Sequence, residues 1–166
     1  MTETHPYEPF IPTNAIVLIL GSFPGLHQTR RLNQFEEWFY SAKRNQFWKI
    51  ISAIYSTELD NVQKKRDLFE TKGIAITDVV LKAKRKKESN LDQHLYDITT
   101  NKEAIQKIIS NPNIKKVYFT SKFVESHFKK MFPEYQLGEC LPSPSPRYAR
   151  MNLKQKIQVY KDRLPV

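Results

Sequence analysis

The sequence predicts an α/β fold, a three-layer sandwich in which helices flank a central, mostly parallel sheet of four strands. Short apolar runs alternate with segments of helical spacing, which is typical of parallel strands joined by helices. The first run, residues 16–20, has five apolar residues without a break and ends at Gly21. Such a run indicates a strand buried on both faces.

Local patterns place the remaining elements. Residues 1–14 hold three prolines and no period, so we expect an extended arm before a single domain at 15–166. Capping residues and apolar spacing predict helices at 46–55, 61–71, 101–110, 122–131 and 151–163, and a short one at 91–96. Short apolar runs predict strands at 74–76, 116–119 and 137–140. The aromatic-rich segment 26–45 is predicted to be mostly an ordered loop, which is commonly functional at that length.

The composition favours a nucleic-acid partner. Lysine and arginine number 27 against 17 acidic residues, which gives a net charge of +10. This excess suits a polyanion, although a merely basic protein is the alternative. The basic run at 82–87, KAKRKK, is predicted to be a solvated surface loop, with phosphate contact as the alternative.

The same composition excludes several classes of protein. The single cysteine, Cys140, excludes an internal disulfide and a multi-cysteine metal site, and the four histidines show no metal spacing. No apolar run approaches the roughly 20 residues that a membrane helix needs, and the polar start is unlike a signal peptide. We therefore expect a cytoplasmic protein without a metal or a membrane partner.

A turn of five residues, Gly-Ser-Phe-Pro-Gly at 21–25, follows the first strand. Ligands of open parallel sheets bind at the carboxyl ends of the strands. Glycine lets the backbone approach a ligand closely, and Pro24 stiffens the turn. A ligand-binding turn is thus one interpretation, and an ordinary strand-to-helix turn is the other.

Two further motifs fall at predicted strand or helix ends, namely RNQFW at 44–48 and LPSPSP at 141–146. Together with GSFPG, they resemble the uracil-DNA glycosylase superfamily, especially its hypoxanthine-DNA glycosylase and mismatch-specific uracil glycosylase branches. Weaker similarity lies at 73–80 and 117–121. The resemblance implies a monofunctional DNA glycosylase of base excision repair that acts as a monomer on DNA, without a cofactor. Hypoxanthine is the expected base, ahead of uracil or xanthine.

The resemblance also assigns roles to individual residues. It makes Gly21, Ser22, Phe23 and Tyr40 base-binding residues, with Tyr40 stacking on the flipped base, and it makes Asn45 catalytic. Many members carry an acid or asparagine where this chain has Phe23, whereas the hypoxanthine group relies on the asparagine before Phe-Trp. The alternatives are a core role for Tyr40 and a helix cap for Asn45.

In the closing motif, Leu141 replaces the usual histidine, as in the hypoxanthine group. Ser143 and Ser145 are predicted to bind DNA phosphates, and Arg147 or Tyr148 to fill the stack that the flipped base leaves. A rigid surface turn is the alternative. Asp78 is predicted to be a structural loop cap rather than a catalytic acid. Because Phe23 and Leu141 both lack the usual polar group, an inactive nucleic-acid-binding protein on the same scaffold remains an alternative, as does a small-molecule hydrolase.

Overall fold

A computed structural model describes residues 1–30 and 37–166, in which seven strands, six α-helices and one short 3-10 turn are formed. The strands are β1 (Thr2–Thr4), β2 (Val17–Gly21), β3 (Ile74–Asp78), β4 (Val80–Arg85), β5 (Leu95–Thr100), β6 (Lys116–Phe119) and β7 (Gly138–Cys140). The helices are α1 (Leu26–Arg30), α2 (Phe47–Tyr55), α3 (Val62–Lys72), α4 (Lys102–Ile109), α5 (Lys122–Met131) and α6 (Leu153–Arg163).

The central sheet has four parallel strands in the order β3-β2-β6-β7, which confirms the predicted fold class. Strand β2 lies between β3 and β6, and its residues Leu18, Ile19 and Leu20 are fully buried. The register pairs Gly21 with Asp78 and Leu20 with Phe119. The carboxyl ends of β2, β3 and β6 therefore meet at one edge of the sheet.

Helices cover both faces of this sheet because successive residues of β2 point to opposite sides. Leu18 and Leu20 face one core, to which α4 and α5 contribute Ile105 and Phe128. Ile19 faces the other core, which α2, α3 and α6 complete. Each face thus carries its own apolar layer, and the result is a three-layer sandwich.

Capping contacts set the ends of α3 and α6. Asn61 accepts a hydrogen bond from the Lys64 amide at 2.8 Å at the start of α3, and Gly73 ends that helix with a φ of 66°. Asn152 and Gln155 form a reciprocal capping box at the start of α6. The five longer predicted helices are present with ends within about two residues of the predicted ones.

The basic run at 82–87 is not a surface loop, and that prediction is wrong. Most of it lies in β4, which joins β1 and β5 in a second, antiparallel sheet of order β1-β4-β5. Ala83 is fully buried, while Lys82 is exposed and Lys84 pairs with Asp97 at 2.7 Å. The run therefore alternates between an inner and an outer face, as strand residues do. The helix predicted at 91–96 is also wrong, since only Asp92–His94 turn before β5 begins.

The N-terminal residues are tied to the rest of the chain. Strand β1 pairs with β4, and Phe10 forms a β-bridge with Ile76. The Glu3 carboxylate is buried and accepts hydrogen bonds from Arg85, at 2.8 Å, and from Thr29, at 2.7 Å. Burial acts to raise the pKa of Glu3, but the Arg85, Thr29 and Arg30 contacts outweigh it and leave the pKa below its usual value.

The segment predicted as a loop at 26–45 begins with helix α1, and its residues 37–45 form turns. Residues 31–36 of this segment, which include Arg31 and the aromatic Phe35, lie outside the described residues. In the ranges that the structure describes, no helix has the length and apolar character to cross a membrane.

Candidate active site

The first group of site residues gathers where β2, β3 and β6 end. Gly21 is the last residue of β2, Asp78 is the last residue of β3, and Thr120 follows β6. A Cβ atom at position 21 would lie 2.3 Å from Asp78 Oδ1 and 2.5 Å from the Tyr40 hydroxyl. Only glycine lets these two side chains meet over the strand end, so Gly21 is required here for a close approach.

Tyr40 is held firmly in this group. Its hydroxyl hydrogen-bonds Thr120 Oγ1 at 2.9 Å, and its ring stacks on Phe47 with centroids 4.0 Å apart. Burial raises the pKa of Tyr40 well above its ordinary value, so the hydroxyl is neutral at physiological pH. Because Phe47 covers one face of the ring, a flipped base can stack only on the opposite face.

Asn45 lies two residues before the start of α2, and Gln46 occupies the N-cap position without a side-chain bond of its own. The Asn45 Oδ1 atom accepts a hydrogen bond from the Phe47 amide at 2.8 Å, so Asn45 secures the first amide of the helix from one position before the expected cap. The Asn45 Nδ2 group donates to no other described residue. The same side chain therefore anchors the helix through its oxygen and presents an oriented NH₂ donor.

A histidine that the sequence analysis passed over lies beside Asp78. The His5 Nε2 atom donates to Asp78 Oδ2 at 2.9 Å, and both side chains are buried. The Tyr7 amide donates to the other ring nitrogen at 3.1 Å. The partner of Asp78 is thus a histidine 73 residues away and not the local loop that the sequence predicted it to cap. No spacing pattern could have revealed this pair.

The turn at 21–25 is clamped by strand β4 and the segment after it. The Ser22 carbonyl accepts from the Val80 amide at 3.1 Å, and the Arg85 guanidinium donates to the Pro24 carbonyl. That guanidinium also lies 5.3 Å from the Phe23 ring centroid. Phe23 consequently packs against the core and offers no polar atom to a water molecule.

Asp92 is a second acidic residue near the turn, and the sequence analysis did not single it out. It lies in the 3-10 turn before β5 and is partly buried, and Ser22 is the nearby group that most favours its charged form. Burial, followed by the nearby charge of Asp78, raises the pKa of Asp92 to about 6.

The closing loop at 141–146 is fixed through its backbone. Three donors reach three of its carbonyl oxygens: the Tyr160 hydroxyl reaches Pro142 at 2.8 Å, the Gln46 amide reaches Pro144 at 2.9 Å, and Lys156 Nζ reaches Ser145 at 2.9 Å. Lys156 Nζ also donates to Gln46 Oε1 at 2.9 Å. The loop is therefore bound to both α6 and the start of α2.

Lys156 is unusual because it is only 1% exposed, and burial lowers its pKa. Its ammonium group bonds neutral oxygen atoms, and in the described part of the chain it forms no ion pair with a carboxylate. A buried lysine costs free energy unless its donors are satisfied. Because both of its hydrogen bonds reach the closing loop or the residue next to it, Lys156 holds the closing loop in position.

The remaining predicted DNA-binding residues divide into two kinds. The Ser143 and Ser145 hydroxyls accept hydrogen bonds from the amides of Ser145 and Arg147, at 3.2 and 3.3 Å, so both serve the turn itself. Arg147 is exposed, whereas Tyr148 is partly buried with Lys156 Nζ 5.6 Å from its ring centroid. Of the two predicted wedge residues, Arg147 is the more accessible. Leu141 is buried in the core.

Other features of the surface lie apart from these residues. A cavity of about 460 Å³ is lined by α2 and the residues that follow it. A second cavity, of about 330 Å³, is lined by α4 and residues 132–135. Neither is lined by a residue of the candidate site. Across the two described ranges, no three histidine, cysteine or acidic side chains are grouped as a metal site would require.

Comparison with known proteins identifies the family and the fold. Residues 8–164 match the family described as the Uracil DNA glycosylase superfamily. A curated hypoxanthine DNA glycosylase of Methanosarcina barkeri (strain Fusaro / DSM 804) is 31% identical over 118 residues, 70% of each chain. The solution NMR structure of a candidate uracil DNA glycosylase from Methanosarcina acetivorans matches with a TM-score of 0.70 over 98% of both chains. At 18% identity, that likeness concerns the fold alone.

Proposed function

Because this chain belongs to the uracil DNA glycosylase superfamily and is a DNA glycosylase, a hydrolase, we propose that hypoxanthine is the base it releases best, ahead of uracil and xanthine. Two observations support this preference. The similar protein of M. barkeri is named a hypoxanthine DNA glycosylase. Phe23 stands where many members carry a polar side chain, a substitution typical of the hypoxanthine group.

The proposed reaction begins with extrusion of the base, since the glycosidic bond is inaccessible inside the stack. We place the extruded base between the turn at 21–25 and the face of the Tyr40 ring opposite Phe47. Water attacks the anomeric carbon C1′, the C1′–N bond breaks, and the base departs with the bonding electrons. The enzyme must therefore orient water and stabilise negative charge on the base.

The geometry of Asn45 carries this proposal. Its Oδ1 atom is held by the Phe47 amide, so the orientation of the side chain is fixed before substrate binds. We assign the NH₂ group to the substrate as a preorganised donor, because preorganised donors stabilise charge that develops in a transition state. The capping role and the catalytic role are thus compatible, with one atom assigned to each.

The closing loop is the proposed DNA-inserting element. Its three anchored carbonyl oxygens and three prolines limit its freedom, which lowers the entropy lost when it enters DNA. Arg147 follows the loop directly and is exposed, so we assign it the vacated stack in preference to Tyr148. We expect the protein to act as a monomer in base excision repair.

A panel of duplexes tests the preference. Each duplex carries one hypoxanthine, uracil or xanthine, and excess protein is added before alkali converts abasic sites to strand breaks. We expect the fastest release from the hypoxanthine duplex. Faster release of uracil or xanthine would contradict the preference.

A second candidate function is DNA binding without catalysis, which is favoured by the apolar residues at positions 23 and 141. It predicts retention of the duplexes in a binding assay and no base release from any of them. The same panel, read by gel shift and by alkali cleavage, separates the two functions.

A further inference from the structure

The second sheet has an outer face whose residues follow from the strand register. Lys84 of β4 is paired with Thr2 of β1 and with Tyr96 of β5, and Lys82 is paired with Thr99 of β5. Directly paired residues of antiparallel strands lie on the same face of a sheet, and so do alternate residues of one strand. These lysine, tyrosine and threonine side chains therefore share one face.

The two faces of this sheet differ in exposure. On the inner face, Ala83 is fully buried, and the Arg85 side chain, which is 3% exposed, bonds the buried Glu3 carboxylate. On the outer face, Lys82 is exposed and Tyr96 is 41% exposed. The charge of the basic run thus points to solvent along β4, except at Arg85.

Two lysines of the outer face have no carboxylate partner among the described residues. Lys84 pairs with Asp97 at 2.7 Å, whereas Lys82 and Lys86 form no ion pair with any residue that the structure describes. Lys86 comes directly after β4, and its Nζ atom lies 5.8 Å from the Tyr96 ring centroid, which places it beside the same face. These two ammonium groups are available to an anionic partner.

Strand β4 runs alongside the motif turn at 21–25. At its start, the Val80 amide donates to the Ser22 carbonyl at 3.1 Å, and at its end the Arg85 guanidinium donates to the Pro24 carbonyl. Because a strand advances by about 3.3 Å per residue, Lys86 lies within about 20 Å of Val80. The outer face therefore begins at the candidate site and extends away from it by about the length of six base pairs.

We propose that this outer face, with Lys82, Lys84, Lys86, Tyr96 and Thr99, binds the sugar-phosphate backbone of the DNA that flanks the released base. Lysine ammonium groups and tyrosine and threonine hydroxyls are donors that proteins commonly direct at DNA phosphates. The face lies outside the turn at 21–25, the start of α2 and the closing loop, so it is a further contact with DNA. The proposal goes beyond the preference for hypoxanthine, because it is the same whichever base is released.

The first test is a salt series of fluorescence anisotropy with a long undamaged duplex, which requires no catalysis. The double variant Lys82→Gln/Lys86→Gln should bind more weakly than the wild type at low salt. The slope of log affinity against log salt should be smaller in magnitude by about 1.8, because each lost phosphate contact removes about 0.9. Lys82→Arg/Lys86→Arg keeps both charges and should retain the wild-type slope.

Lys107→Gln/Lys130→Gln is the matched control, since it removes the same charge from two exposed lysines. Both lie in the last turn of a helix, α4 or α5, and these helices end before β6 and β7 begin. The two lysines are therefore at the amino edge of the parallel sheet, opposite the candidate site. The control should show the wild-type slope, and thermal unfolding of all variants verifies that each is folded.

The second test locates the flank with hypoxanthine duplexes that are shortened on one side at a time. In single-turnover release, Lys82→Gln/Lys86→Gln should raise the half-saturating protein concentration and leave the saturated rate unchanged. Shortening one flank to about two base pairs should abolish this difference from the wild type, since the phosphates that the lysines contact are then absent. Shortening the other flank should leave the difference intact.

The proposal is overturned if Lys82→Gln/Lys86→Gln binds duplex as the wild type does. It is overturned equally if the two glutamine double variants lower the slope by the same amount, because net charge alone would then explain the loss. A difference that survives shortening of either flank would also contradict contact with flanking DNA. A wild type that shows the expected slopes but releases no base overturns the proposed function and supports this inference.

Discussion

At the scale of single residues, the site depends on close approaches that few side chains permit. Gly21 has no room for a methyl group between Asp78 and Tyr40. We expect Gly21→Ala to displace both side chains, to cost about 1–3 kcal/mol of stability, and to slow base release markedly. Thermal unfolding and single-turnover release, measured on the same preparation, check this prediction.

Gly25→Ala is the control for that substitution. Its Cβ would meet the amide ends of Gln28 and Asn90, which are side chains that can move. It should therefore have the smaller effect on both measurements. If Gly21→Ala released base at the wild-type rate, the close packing of Asp78 and Tyr40 would have no bearing on catalysis.

Sequence reasoning located the residues that lie in motifs and missed those that lie elsewhere. Asn45 was assigned a cap and a catalytic role, and the capping contact is present. His5, Asp92 and Lys156 lie outside every motif, and their partners are distant in the chain. In a sequence, a histidine, aspartate or lysine is expected at the surface, and only the fold reveals that it is buried.

At the scale of elements, the parallel sheet could be predicted because β2 and β3 are apolar runs ended by recognisable turns. The second sheet could not, since lysine and arginine in β4 suggested a loop. The missed signal was the period of two around Ala83, which is buried between exposed or paired lysines. The lysine side chains of β4 lie on its outer face, so they do not argue against a strand.

The closing loop provides the prediction at this scale. Lys156→Met keeps an apolar stem but leaves the Ser145 carbonyl and Gln46 Oε1 without their donor, which costs about 1–3 kcal/mol. We expect processing of paired duplex to fall more than processing of single strands, because only duplex needs the inserted loop. Release rates on matched duplex and single-stranded substrates measure this difference.

Lys154→Met is the control for Lys156→Met. Lys154 is exposed on the same helix, and its substitution removes the same charge. It should leave the ratio of duplex to single-strand rates unchanged. An equal loss on both substrates for Lys156→Met would mean that the lysine stabilises the fold without positioning the loop.

At the scale of the whole molecule, the net charge of +10 predicts that binding to DNA depends on salt concentration. We expect affinity for duplex to fall linearly with the logarithm of salt concentration, because each phosphate contact releases counterions. Fluorescence anisotropy across a salt series measures the slope. Arg150→Ala, at an exposed arginine just after the closing loop, should reduce the magnitude of the slope by about 0.9 if that side chain contacts one phosphate. An affinity independent of salt would contradict electrostatic docking.

The central claim is that the Asn45 amide takes over the work of the polar groups that Phe23 and Leu141 replace. The direct test compares wild type with Asn45→Asp in single-turnover release from a hypoxanthine duplex at pH 7. Aspartate keeps the oxygen that caps Phe47 but lacks the NH₂ donor. We predict unchanged thermal stability and a rate lower by at least ~100-fold, the usual cost of one preorganised hydrogen bond. A stable Asn45→Asp protein that releases hypoxanthine at nearly the wild-type rate would contradict the claim and reduce Asn45 to a helix cap.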